Sequence, residues 1–188
     1  MRKTTYEVLD LARERWAPRA FSNEKVAIEE LKALVEAATM APSCFNEQPW
    51  RFIIFHEDEQ VEQMKHFLSD RNKLWNKPVR SYILLLVKNE FEYNGKENKW
   101  AQFDTGAAWG ILSLEAQRRG IITHAMAGFA RSAVIQHLNI HEDLTPIALV
   151  AVGKTGNIEA LDETFREGEK PGERKPIDDV MIECCFEE

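Results

Sequence analysis

A chain of 188 residues with 44% hydrophobic side chains is long enough to bury one substantial core and too short for two full domains, so a single domain over residues 1–188 is expected. The formal net charge of −7 argues against a general nucleic-acid surface, which needs clustered Lys and Arg, and no run of about 18 apolar residues is present to form a membrane helix. The cysteines, Cys44 and the adjacent Cys184 and Cys185, have neither disulfide-framework nor metal-ligand spacing, and the charged Met1-Arg2-Lys3 does not lead into a signal-peptide core; a soluble protein of the cytoplasm is expected.

Tyr6, Leu9, Ala12 and Trp16 recur at helical spacing and predict an amphipathic helix over residues 5–15 that ends before Pro18. Ile28, Leu31, Leu34, Val35 and Ala38 predict a second helix, whose pattern stops at Pro42. The connection Ala41-Pro42-Ser43-Cys44-Phe45-Asn46-Glu47-Gln48-Pro49-Trp50 follows, and Pro49 forces extended backbone into the strand-like run Arg51–His56. Ser43, Asn46 and Gln48 thus stand on a helix-to-strand loop, where polar groups can face a ligand from a rigid base.

Ser81–Val87 is a second strand, and Val61, Met64, Phe67 and Leu68 form a helical pattern before it. Strand, helix and strand suggest an α+β (α/β layered) arrangement, with the direction of pairing left open. Lys88–Lys99, polar and containing Asn94-Gly95, reads as a mobile loop. Trp100–Arg119 is the longest helical candidate, with Phe103, Ala107, Gly110, Ile111 and Leu114 on its period. Its small Ala107, Ala108 and Gly110 allow another helix to approach closely, in the core or at a dimer interface. A strand over Ile121–Ala127, a turn at Gly128-Phe129, a short helix over Ser132–Leu138 and a buried strand over Pro146–Val152 complete the pattern. After Gly153, about 25 residues show little periodicity, which is unusual inside a compact domain; the segment from residue 154 onward is expected to be an extension that wraps a partner subunit.

Several motifs carry no chemistry. Gly153-Lys154-Thr155 lacks the upstream glycine of a phosphate-binding loop, because Ala148 stands there, and no G-x-G-x-x-G follows a strand. His137 and His141 lack the glutamate of a zinc helix, so no metal is expected, and His124 in its apolar run reads as a packing histidine. The groups left over are Arg15, Arg19, the loop Pro42–Gln48, the turn Ala125–Phe129 and Arg174. Arginine forks, amides and apolar cover are what a flat, phosphorylated cofactor needs.

The loop A-P-S-x-x-N-x-Q-P-W-x-F resembles the signature loop of the nitroreductase family of FMN-dependent oxidoreductases. Arg15-Trp16-Ala17-Pro18-Arg19-Ala20-Phe21 is similar to that family's R-x-S-x-R-x-F motif, Asp104-Thr105-Gly106-Ala107-Ala108 to its central-helix motif, Ala125–Phe129 to its G-F turn, and Arg174-Lys175-Pro176 to its basic C-terminal motif. The resemblance implies a nitroreductase-like fold, with a central, mainly antiparallel sheet flanked by helices, in an intertwined homodimer with a C-terminal extension.

It further implies that FMN is the cofactor, that Arg15 and Arg174 meet its phosphate, and that Arg19 lies at the pyrimidine end of the ring system. Trp16 and Ala17 belong to the same cofactor-binding set. Pro42, Ser43, Cys44 and Asn46 would reach the cofactor from the other subunit, while Met126, Ala127 and Gly128 pass along the ring and Asn72 adds a contact. Hydride would move from NADH or NADPH through flavin N5 to an acceptor such as a nitroaromatic or quinone, by a ping-pong mechanism, with no side-chain acid or base required. The alternative is a non-catalytic flavin sensor or carrier on the same fold. Two positions depart from the pattern: Ala17 replaces a serine, and Gly172 stands where many relatives carry a lysine, with Lys170 or Lys175 as candidate replacements.

Overall fold

The run Ser81–Val87 is buried at every residue, which requires a strand covered on both faces. The computed structural model describes residues 2–184, so Cys185 lies outside the described residues. The strands β1 (Trp50–Phe55), β2 (Ser81–Lys88), β3 (Ile122–Met126) and β4 (Leu144–Gly153) form one sheet in the order β1-β2-β4-β3. Every neighbouring pair is antiparallel, which answers the question of direction. Pro146 lacks the N–H a ladder needs, and the register of β4 against β2 shifts at Leu85/Leu86, opposite that proline.

Around the sheet stand α1 (Asp10–Glu14), α2 (Ile28–Ala38), α3 (Asp58–His66), α4 (Asp70–Asn76), α5 (Ala101–Arg118), α6 (Arg131–Leu138) and α7 (Glu163–Arg166). Alternation along the strands sends Ile83, Leu85, Val150 and Val152 to one face, against Leu31, Leu34 and Ala38 of α2 and Ala108, Leu112 and Ala116 of α5. Tyr82, Leu84, Leu86, Leu149 and Ala151 go to the other, against Val61 and Met64 of α3, Trp75 of α4, Val134 of α6 and Phe165 of α7. The result is a mixed helix and antiparallel-sheet architecture with a core on each side of the sheet.

Local chemistry explains several boundaries. Glu57 and Gln60 form a capping box at the start of α3, and Asn139 takes a left-handed conformation (φ 49°) that ends α6. α1 is shorter than the predicted 5–15, because Tyr6 (67% exposed) and Leu9 (60%) have no surface to pack on. The inward face of α5 is Ala101, Asp104, Thr105, Ala108, Leu112 and Ala116, whereas Phe103 of the predicted stripe is 73% exposed. The helix carries two apolar stripes, and the bulkier residues lie on the outer one. Among the described residues, no atom stands within 4 Å of where a Cβ at Gly106 or Gly110 would sit.

α4 escaped the sequence reading, being only seven residues long. The loop predicted over Lys88–Lys99 is closed by a Glu90–Glu97 bridge. The segment after Gly153 is not structureless: it holds α7 and single turns at Ile158–Ala160 and Ile177–Asp179, all too short to show a period. Its first part packs on its own chain, through a Phe21–Thr155 bridge and through Leu161 and Phe165 in the core.

Candidate functional site

Arg15 ends α1 in extended geometry (ψ 128°), and Pro18 keeps the backbone extended beyond it. The segment 15–22 is then pinned from the far end of the chain. The buried Glu169 carboxylate accepts the N–H of Arg19 at 2.6 Å and of Ala20 at 2.7 Å, the Gly156 N–H reaches the Ala20 carbonyl at 2.7 Å, and the Ser22 N–H reaches that of Lys154 at 2.9 Å.

Beside this segment opens a cavity of about 260 Å³ lined by Arg2, Arg15, Arg19, Lys170 and Arg174, together with Trp16, Ala17, Gly168 and Gly172. Among the described residues no acid lines it, and none of the five cations makes an ion pair. Burial, then the charges of Arg2 and Arg174, lowers the pKa of Arg15 below the ordinary guanidinium value. Arg2 is lowered in the same way, by burial and then by Arg174. Such crowding of like charge is relieved by an anion, and guanidinium forks match the oxygens of a phosphate. Arg19 also stacks on Phe165, its guanidinium carbon 5.3 Å from the ring centroid.

A second group of predicted residues meets at the end of β3. The Gly128 carbonyl accepts the Ser69 N–H and the Asn72 side-chain amide, both at 2.9 Å. A Cβ on Gly128 would stand 2.9 Å from Asn72 Nδ2 and from Ser69 Oγ, so a larger residue there would push the ends of both side chains aside. Ala127 is exposed, while Met126 turns into the core and accepts a contact from Asn76 Nδ2 at 3.4 Å. His124 packs as expected: it lies 4.6 Å from Trp75 between ring centroids and its Nδ1 is 2.9 Å from the Pro18 carbonyl. Burial holds its pKa below the ordinary histidine value.

The loop Pro42–Gln48 is built rigidly. Asp104, 3% exposed on α5, accepts the Cys44 N–H at 3.0 Å, and Ser43 Oγ accepts the Gln48 N–H at 3.0 Å. Phe45 (φ 54°), Asn46 (φ 56°) and Gln48 (φ 51°) all have positive φ, a strained geometry for a residue as bulky as phenylalanine. Phe45 is 78% exposed and meets Phe91 and Tyr93 edge-on at 6.2 and 6.1 Å, whereas Trp50 belongs to the core.

Within one chain, the structure brings together Arg15, Trp16, Ala17, Arg19 and Arg174, and it brings Asn72 to Met126–Gly128. Pro42, Ser43, Cys44 and Asn46 do not line the arginine cavity. Sequence reading missed Arg2 and Glu169. Both act across the whole chain, Arg2 on Gly172 at a separation of 170 residues and Glu169 on Arg19 at 150, and no local pattern marks such pairs.

An antiparallel sheet between two helical layers, with a cavity lined by cations beside the first helix, defines the class of α+β protein. The Nitroreductase family model matches residues 12–78 and 71–154, and the chain belongs to the nitroreductase family. A solved structure described as an oxidoreductase containing FMN superposes with a TM-score of 0.93 at 31% identity, covering 99% of this chain and 96% of that one. Iodotyrosine deiodinase of Thermotoga neapolitana is 29% identical over 135 residues, 60% of this chain and 69% of the relative. A relative from Archaeoglobus fulgidus, whose name of NADH dehydrogenase/NAD(P)H nitroreductase is itself provisional, is 26% identical over 152 residues, 78% of this chain and 84% of its own.

Proposed function

We propose that the chain binds FMN and, as a homodimer, passes hydride from NADH or NADPH to a small electron acceptor such as a nitroaromatic or quinone. The observation that carries this reading is the cavity of five cations without an acid, a donor set that fits the phosphate of FMN. When bound, FMN supplies the hydride chemistry at its N5 atom, and the protein supplies binding, orientation and electrostatics.

In this reading Arg15 and Arg174 hold the phosphate. Arg19, kept in place by Glu169 at its backbone and Phe165 at its guanidinium, sets a fixed positive charge at the pyrimidine end. That charge stabilises the negative charge that develops on reduction, more strongly in a site shielded from water. Asn72 fixes the Gly128 turn, and the small, exposed Ala127 lets a flat ring lie along it.

The loop Pro42–Asn46 completes the site from the partner subunit. Two features support the homodimer: the loop stands away from the arginine cavity of its own chain, and Tyr6, Leu9, Trp100, Phe103, Val180 and Met181 remain exposed. Residues 155–174 are held on their own chain, so in this reading the wrapping extension comprises the exposed residues 175–184. No helix among the described residues is long and apolar enough to cross a membrane, and the free Cys44 and Cys184 suit a reducing compartment, the cytoplasm.

The deiodinase name of one relative marks the acceptor as the property to test. A steady-state screen of both nicotinamide donors against quinones, nitro compounds, iodotyrosine and free flavin is expected to give turnover with quinones or nitro compounds. Turnover confined to iodotyrosine would overturn the acceptor class, and tight FMN binding without turnover on any pair would make the protein a carrier or sensor.

A further inference from the structure

Arg2 is tied into the cavity wall by four hydrogen bonds. Its Nε donates to the Gly172 carbonyl at 3.0 Å, its Nη1 donates to the carbonyls of Arg15 at 2.6 Å and Arg13 at 3.3 Å, and its own carbonyl accepts from Arg13 Nε at 3.3 Å. These bonds join the end of α1 to the strap that carries Arg174. They also engage the carbonyl of Arg15 and that of Gly172, which accepts a second, longer bond from Arg174 Nη1 at 3.4 Å, so that neither carbonyl stands bare beside an anion. Among the described residues the two N–H groups of Nη2 have no partner.

The wall at Gly172 is bare: among the described residues no atom lies within 4 Å of where its Cβ would be. Between Lys170 and Arg174, the strap therefore offers the cavity a backbone carbonyl and no side chain. Arg2 covers that carbonyl and brings a guanidinium to the same place.

We propose that Arg2 is a phosphate-binding residue of the flavin site, recruited from the start of the chain to supply the cation that Gly172 does not. The proposal rests on the FMN reading above. Arg2 has two functions here: Nε and Nη1 clamp the two walls together, and Nη2 faces the phosphate. Burial, then crowding by Arg174 against a smaller opposing pull from Glu173, lowers the Arg2 pKa, and a bound phosphate offsets that cost.

A residue that only ties two walls together would affect any ligand of the site, whereas a phosphate partner affects FMN alone. The test compares dissociation constants for FMN and riboflavin, which lacks the phosphate, on flavin-free full-length protein by quenching of flavin fluorescence. Wild type should prefer FMN. In Arg2→Ala the FMN affinity should fall about ten- to a hundredfold, the range for losing one charge-assisted hydrogen bond, with riboflavin affinity nearly unchanged. Arg2→Lys, which keeps the charge and loses the fork, should fall between the two and guards against a folding defect in the alanine variant. An equal loss for both flavins, or an unchanged FMN-to-riboflavin ratio, overturns the role of Arg2. If wild type itself shows no preference for FMN over riboflavin, the failure lies with the FMN reading.

Discussion

Glu169→Ala should destabilise the protein by about 2–3 kcal/mol, because it strips the acceptor from two backbone donors at once. One carboxylate oxygen accepts the N–H of Arg19 at 2.6 Å and of Ala20 at 2.7 Å. The Ala20 bond is buried and its loss leaves a donor unpaired, at about 1–3 kcal/mol; the Arg19 bond is part-buried, so water recovers some of its value. The other oxygen, Oε2, is buried without a partner among the described residues, and relief of that desolvated atom offsets part of the loss. Glu169→Gln keeps an oxygen in the accepting position and loses only the charge assistance, about 1 kcal/mol. Urea denaturation read by tryptophan fluorescence measures both, as midpoints shifted at constant slope. An alanine variant as stable as wild type would refute the pinning of segment 15–22, and a glutamine variant as unstable as alanine would show that the negative charge matters and the acceptor does not.

Asp104→Ala should cost about 1–3 kcal/mol, by leaving the Cys44 N–H without its 3.0 Å acceptor, and hydrogen exchange should rise in residues 43–48 while the sheet stays protected. Gly128→Ala brings a Cβ to within 2.9 Å of Asn72 Nδ2 and should cost about 1 kcal/mol by thermal denaturation, because the Asn72 and Ser69 side-chain ends can move aside at the expense of the Asn72 contact. His124 sets a pH dependence: burial depresses its folded pKa, so the unfolded chain binds the extra proton first and stability falls as pH drops below about 6.5. The fall should level off below the folded pKa and should be reduced in His124→Gln, as shown by melting temperatures between pH 5 and 8.

Elements whose burial is local were legible. The fully apolar run Ser81–Val87 and the Leu31, Leu34 and Ala38 stripe of α2 lie in the core as their spacing requires. Failures arose where burial depends on a surface the pattern does not contain. Tyr6 and Leu9 have helical spacing and no face to cover, and on the outer side of α5 Ala107 and Ile111 are only partly buried while Phe103 stays exposed among the described residues. In the candidate site, Arg15, Arg19 and Arg174 came from motif resemblance, and the structure gathers them into one cavity. Arg2 and Glu169 were invisible because the contacts that bring them to the site, Arg2 to Gly172 and Glu169 to Arg19, span 170 and 150 residues. The positive φ of Phe45 was equally hidden, since phenylalanine is not a residue that signals such a turn.

Anaerobic addition of NADH or NADPH to the FMN-loaded protein should bleach the flavin absorption band rapidly with at least one donor, and the band should recover when a quinone or nitroaromatic is added. A flavin band that persists with both donors would rule out hydride transfer from nicotinamide to FMN in this protein.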